Sequence, residues 1–169
     1  MNDQTKNKDI NDKPIIDVCC GGRMFYFDKE NPLVEFCDIR SESIELCDGR
    51  IHHVRPDTIS DFKNLPHAND TFNLVIFDPP HLNHKAGDKA WIVKKYGKLD
   101  KDFKTQLKLG FEECFRVLKV GGTLIFKWND SDILVSEILP LSPVKPLMGH
   151  KSGKQQKTHW IVFYKGEPQ

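Results

Sequence analysis

The feature that most constrains this chain is a set of short, unbroken apolar runs, each ended by an acid, an amide or glycine. The clearest is "TFNLVIFD" (71–78), which runs into Pro79 and Pro80. Continuous apolar character over roughly four to eight residues marks a strand buried on both faces, as in a parallel sheet. "PIIDVCC" (14–20) reads the same way and stops at Gly21-Gly22. "LVEFCDI" (33–39) is a second such run, "GTLIFKW" (122–128) a fifth, and a weaker third lies near "IHHVRPD" (51–57).

Between the fourth and fifth strands, residues 100–120 place Phe103, Leu107, Phe111, Cys114, Phe115 and Leu118 three and four apart. That spacing predicts an amphipathic helix, ended by Gly121-Gly122 and weakened slightly by Gly110. "SDILVSEIL" (131–139) predicts a short helix capped by Ser131, and "VKPLMGH" (144–150) with "THWIVFYK" (158–165) predicts a closing hairpin. Strands alternating with helical or loop crossovers imply an α/β fold with a mainly parallel sheet. At 169 residues and 38% hydrophobic content the chain suits one domain, expected over 14–169 behind a flexible tail at 1–13.

No apolar run is long enough to span a bilayer, and the polar N-terminus lacks a secretory pattern. A soluble, cytoplasmic protein with no membrane partner is expected. The five cysteines include the adjacent pair Cys19-Cys20 and no C-x-x-C, so neither a disulfide framework nor a zinc site is indicated. His52, His53, His81 and His84 lack accompanying acid or cysteine spacing, and no metal is expected.

The net charge of +1 hides an asymmetry: residues 1–81 carry 9 Lys and Arg against 15 Asp and Glu, and residues 82–169 carry 16 against 9. "KKYGKLDKDFK" (94–104) and "HKSGKQQK" (150–157) hold much of the basic excess. Such patches follow a phosphate backbone or are simply solvated charge.

In open α/β sheets the ligand site lies outside the carboxyl ends of the strands, where the strand order switches. The residues there are Asp17, Cys19, Gly21 and Gly22 after the first strand, Asp38 after the second, Asp61 beyond the third, Asp78 after the fourth and Asn129 after the fifth. Asp38 follows Asp17 by 21 positions, the distance at which an acid commonly meets a ribose. "CCGGRMFYF" lacks the G-x-G-x-x-G loop that a dinucleotide pyrophosphate favours, so an adenosine-bearing cofactor without phosphate fits better. Asn129 suits either a substrate contact or a strand cap.

The order "DVCCGG", "CDIR", "DFKNLPHANDTFNLVIFDPPH", "CFRVLKVGGTLIFKW" resembles the class I S-adenosylmethionine-dependent methyltransferases, over roughly residues 14–165. "DPPH" is similar to the D/N-P-P-aromatic signature of members that methylate amino nitrogens, and the basic ending resembles small phage-related proteins. The resemblance implies a Rossmann-like methyltransferase fold with a seven-stranded sheet and S-adenosylmethionine as cofactor. It implies that Asp17, Cys19 and Gly21 line the methionine part, that Asp38 with Ile39 holds the ribose, and that Asp61 with Phe62 meets the adenine. It assigns Asp78, Pro79, Pro80 and His81 to catalysis: Asp78 and the Pro79 carbonyl accept from the target amino group, and residue 81 packs on the target's flat face. This chain departs from the pattern in having Cys19-Cys20 where further glycine is usual, and His at 81 where Tyr, Phe or Trp is usual.

The function expected is methylation of an exocyclic amino nitrogen, adenine in DNA or RNA being favoured. The basic second half would hold the nucleic acid. Specificity would come from loops 82–104 and 149–158 or from a protein partner. Methylation of a protein glutamine or a small molecule, and a catalytically silent binding subunit, stay open at this level.

Overall fold

The computed structural model describes residues 13–82 and 91–167. Most of the expected tail and His84 lie outside the described residues, as does part of loop 82–104. The strands are β1 (Ile15–Asp17), β2 (Val34–Asp38), β3 (Glu42–Glu45), β4 (Ile51–Val54), β5 (Thr58–Ile59), β6 (Phe72–Phe77), β7 (Leu118–Asn129), β8 (Met148–Ser152) and β9 (Thr158–Tyr164). The helices are α1 (Trp91–Tyr96), α2 (Phe103–Val117) and α3 (Val135–Ile138), the last continued by a single 3-10 turn at Leu139–Leu141.

Seven strands form one sheet in the order β5-β2-β1-β6-β7-β9-β8. The first five are parallel, while β9 runs antiparallel to both β7 and β8. The α/β class, the mainly parallel sheet and the closing hairpin are therefore as the apolar runs imply. The chain leaves β1 in one direction through β2 and β5, then returns to the other side of β1 for β6. The switch point lies between the ends of β1 and β6.

Burial explains the strands. All five residues of β2 are buried, and Ile16, Val75, Phe77, Leu124, Phe126 and Trp128 are closed off from solvent. On α2, Leu107, Gly110, Phe111, Cys114, Phe115 and Val117 form the buried stripe. Phe111 meets Phe126 at 4.9 Å and Phe77 at 5.4 Å between ring centres, locking the helix to the middle of the sheet.

Several local expectations are corrected. The third strand of the sheet is the two-residue β5, while the run at 51–57 supplies β4, which pairs with β3 in a separate antiparallel hairpin. The alternation of exposed and buried residues in β4 suits such a ribbon better than a core strand. Helix α2 stops at Val117, because Leu118 turns to extended backbone, is fully buried and pairs with Phe72. Gly121 and Gly122 thus lie inside β7, where Gly121 takes a φ of 80° and donates to the Lys165 carbonyl. At Gly122 a Cβ would lie 2.8 Å from the Lys119 carbonyl, so the tight fold of the strand selects glycine. Ser131 caps no helix: α3 begins four residues later, and the Ser131 amide donates to Asn129 Oδ1.

No helix occurs between β1 and β2, where residues 18–33 run in turns, and the β3–β4 hairpin stands between β2 and β5. Arg23 organises the turns. It is buried, lies 3.8 Å over the Phe36 ring, and donates to the carbonyls of Lys29 and Arg55 and to Asp57. Cys47, at the tip of the hairpin, is the exposed cysteine of the chain. No described helix is long and apolar enough to cross a membrane.

Gly110 offers a test of the core. A Cβ there would stand 2.7 Å from Phe62 Cδ2 and 2.8 Å from Phe77 Cζ. Alanine gains about 1 kcal/mol of helix propensity but overpacks two rings at about 1–3 kcal/mol. Gly110→Ala is expected to lower the urea midpoint.

Candidate active site

A cavity of about 380 Å³ opens at the switch point. Its floor is the loop Cys19–Gly22, and one wall is Asp78, Pro79, Pro80 and His81 from the end of β6. Lys127 and Asn129 from β7, Thr158 from β9, Met24 and Phe25 from the first loop, and Arg40, His52, Lys95 and Tyr96 complete it. Cys19, Gly21 and the D-P-P-H segment, expected from widely separated positions, share one space. Gly21 has a φ of 50°, and a Cβ on it would meet nothing within 4 Å, so the loop leaves an open cradle.

Asp78 receives a hydrogen bond on Oδ2 from Lys127 Nζ at 2.6 Å, its hydrogen-bond partner among the described residues. Burial raises the Asp78 pKa, and the Lys127 charge and hydrogen bond oppose that rise. Lys127 is also within 5.5 Å of the Phe25 ring centre and 5.7 Å of that of Trp160, so its position is fixed by rings as well as by charge. His81 is held below its ordinary pKa by burial, which Asp78 opposes. Its ring centre lies 6.3 Å from that of Tyr96, tilted by 44° and therefore not stacked on it.

The other expected cofactor residues do not line the cavity. Asp17 is fully buried beneath the loop, accepting from the Cys19 amide and from Tyr26 Oη at 3.1 and 2.9 Å. Asp38 is buried too: Oδ2 accepts from the Gly21 amide at 2.9 Å, and Oδ1 accepts from the Arg40 amide and Nε. Arg40 faces the cavity in its place and donates to the carbonyls of Lys94 and Lys95 at the end of α1. Ile39 is 63% exposed. Asp61 binds the Lys63 amide and ammonium, and Phe62 packs on Phe77 at 5.3 Å. Asn129 does both things expected of it: it borders the cavity, and its side chain bonds Thr158 and the Ser131 amide.

Sequence reasoning missed Met24, Phe25, Arg40, His52, Lys127 and Thr158 as cavity residues. The pairing of β7 with β6, which sets Phe126 beside Phe77, was the signal that brings Lys127 to Asp78. Away from the cavity, Glu35, Cys37 and His67 place one ligand atom each within 4.8 Å of one another. Glu35 is already held by Lys13 at 2.7 Å and Thr58 at 2.6 Å, while His67 Nδ1 is buried without a hydrogen-bond partner among the described residues.

No protein-family model matches the chain, and a search of the curated proteins finds no match. Solved structures share its fold. The PH0226 protein from Pyrococcus horikoshii OT3 superposes with a TM-score of 0.57 at 16% identity, over 89% of this chain and 81% of that one. The antibiotic-resistance methyltransferase Kmr gives 0.54 at 12% identity, covering 92% and 87%. The 1,6-didemethyltoxoflavin-N1-methyltransferase of Burkholderia thailandensis, solved with bound 1,6-didemethyltoxoflavin and S-adenosylhomocysteine, gives 0.52 at 12% identity, covering 90% and 71%. The fold is thus the Rossmann-like fold of S-adenosylmethionine-dependent methyltransferases.

Asp17 yields a stability prediction. Burial, with smaller repulsion from Asp78 and Asp38, raises its pKa to about 7 despite two hydrogen bonds. A carboxyl that holds its proton more tightly when folded contributes stability present below the unfolded pKa of about 4 and lost as pH rises through about 7. Asp17→Asn removes that loss, so urea titrations are expected to show the variant gaining on wild type between about pH 4 and 8, by on the order of a few kcal/mol.

Proposed function

We propose that this chain transfers a methyl group from S-adenosylmethionine to an exocyclic amino nitrogen, with adenine in nucleic acid as the favoured target. The observation that carries the reading is the Asp78 carboxylate on the wall of the cavity, fixed by two prolines and Lys127, opposite a glycine loop with open space beside it. The residues fit the cofactor at the loop, where Cys19, Gly21 and Gly22 would hold it. At Asp38 the fit requires Arg40 to turn away, since both carboxylate oxygens are engaged. When bound, the cofactor supplies an electrophilic methyl on a sulfonium centre.

The chain's own groups do the rest. The lone pair of an amino nitrogen on a base ring is delocalised. Asp78, accepting one of its hydrogens, favours a pyramidal nitrogen whose lone pair is free to attack. Lys127 opposes the burial that favours protonation of Asp78 and so favours the anionic form that can accept. The proline pair fixes the acceptor, so orientation carries much of the rate without a covalent enzyme intermediate. His81, neutral because burial lowers its pKa, borders the cavity with Tyr96 and offers a ring face to the target. The β8–β9 turn, with exposed Lys151, Lys154 and Lys157, ends at Thr158 on the cavity rim, which supports a polyanionic substrate.

Incubation with methyl-labelled cofactor and DNA, RNA and protein fractions, followed by nucleoside analysis, tests the target. Label in the amino group of adenine is expected; label in protein or small molecules alone would move the reading to those substrates. Asp78→Ala is expected to cut turnover at least about 100-fold while cofactor affinity stays near wild type. His81→Phe is expected to keep activity that His81→Ala loses.

The pH profile gives a separate check on Lys127. Protonated Asp78 cannot accept, so activity falls as pH drops through its raised pKa. Lys127→Met removes the influences that lower that pKa, and the acid limb is expected to move to higher pH.

A further inference from the structure

Beside the cavity lies a second groove, of about 460 Å³, between the first loop and the β3–β4 hairpin. The two share Gly21, Gly22, Met24, His52 and Lys95 in their walls, so they form one continuous depression. Lys29, Arg50, His52, His53, Arg55 and Lys95 line the groove, gathered from three separate segments of the chain. Its one acid, Glu30, pairs with the buried Arg23. Arg50 is neutralised by Asp48, but among the described residues no carboxylate lies within ion-pair distance of Lys29, Arg55 or Lys95. Among the described residues the side chain of Arg55 reaches His53 Nδ1, at 3.3 Å.

His52 sits at the junction. It is 8% exposed, its Nε2 has no hydrogen-bond partner among the described residues, and its ring packs so closely on Gly22 that a Cβ there would collide with Cε1. Its pKa is lowered by burial and then by the charges of Lys95, Arg40, His53 and Lys29. Arg40 is paired with Asp38, so the positive charge left without a carboxylate partner among the described residues belongs to Lys29, Arg55 and Lys95, all of which line the groove and attract an anion to it. The hairpin carrying Arg50, His53 and Arg55 stands where a parallel α/β chain would otherwise use a crossover helix, and it projects from the sheet in its own two-stranded ribbon.

We propose that this groove binds the phosphodiester backbone of a single-stranded nucleic acid, next to the nucleotide whose base enters the cavity. The inference rests on the nucleic-acid reading above and adds the path of the strand to it. Lys29 and Arg55 meet phosphate oxygens, and Lys95 guides the backbone from the groove to the cavity mouth. The surface is built largely from residues in the acidic half of the chain, and it is additional to the basic turn between β8 and β9.

The test uses the full chain, a fluorescein-labelled adenine-containing single-stranded oligonucleotide, and the exposed double variant Lys29→Glu with Arg55→Glu. The variant is expected to bind the oligonucleotide about 10-fold or more weaker, and its salt dependence to flatten by about 0.7 for each phosphate it no longer neutralises. Cofactor affinity by calorimetry is expected to match wild type. Unchanged oligonucleotide affinity and salt slope would overturn the groove while leaving the methyltransferase reading intact. Loss of cofactor affinity instead would also overturn it, by assigning the groove to the cofactor. Oligonucleotide binding that responds to the variant, without methyl transfer to any base, would sustain the groove and remove the target assignment. Failure of wild type to bind any oligonucleotide would overturn both.

Discussion

The Arg23 guanidinium is the contact on which the geometry of the cavity depends. A parallel α/β sheet ordinarily holds its first loop with the helix that follows, and here no helix follows β1. One planar cation does that work: it lies flat on Phe36 and its fork ties the carbonyls of Lys29 and Arg55 and the Asp57 carboxylate together. Lysine would supply the charge without the fork. Because Arg23 adjoins Gly21 and Gly22, the position of the open cradle follows from this buried node.

Around the same loop stand three carboxylates with separate donors. Asp17 has Tyr26 and the Cys19 amide, Asp38 has Arg40 and the Gly21 amide, and Asp78 has Lys127. Repulsion from Asp78 and Asp38 contributes to the raised pKa of Asp17, so the three sense one another through the loop. A positively charged guest such as a sulfonium would relieve that repulsion, which connects the burial of the acids to the chemistry proposed.

Much of the fold was legible because its strands are buried on both faces, and uninterrupted runs such as those of β2 and β6 record that burial directly. The β3–β4 hairpin was not, since its residues alternate with solvent and carry charge, and the two residues of β5 are too few to form a pattern. Gly121-Gly122 resembles a helix stop in sequence but serves a bend within β7, because the pairing of Leu118 with Phe72 overrides the helical spacing. For the site, the D-P-P-H wall and the glycine loop were legible as strand ends. Asp38 and Asp61 were found as acids, but their partners, Arg40 and Lys63, depend on side-chain directions that spacing does not convey. The cations of the hairpin groove were hidden by averaging, since the half of the chain that contains most of them is net acidic.

The hairpin has one more consequence, through Cys47 at its tip. Burial raises the pKa of Cys19, Cys20, Cys37 and Cys114, which disfavours their reactive thiolate forms. Cys47 alone stands in solvent, on a ribbon that projects from the sheet. Cys47 is therefore the thiol expected to react first with an oxidant or an alkylating reagent. The same exposure makes the native sequence a single-site handle, at which a thiol-reactive dye attaches without further mutation.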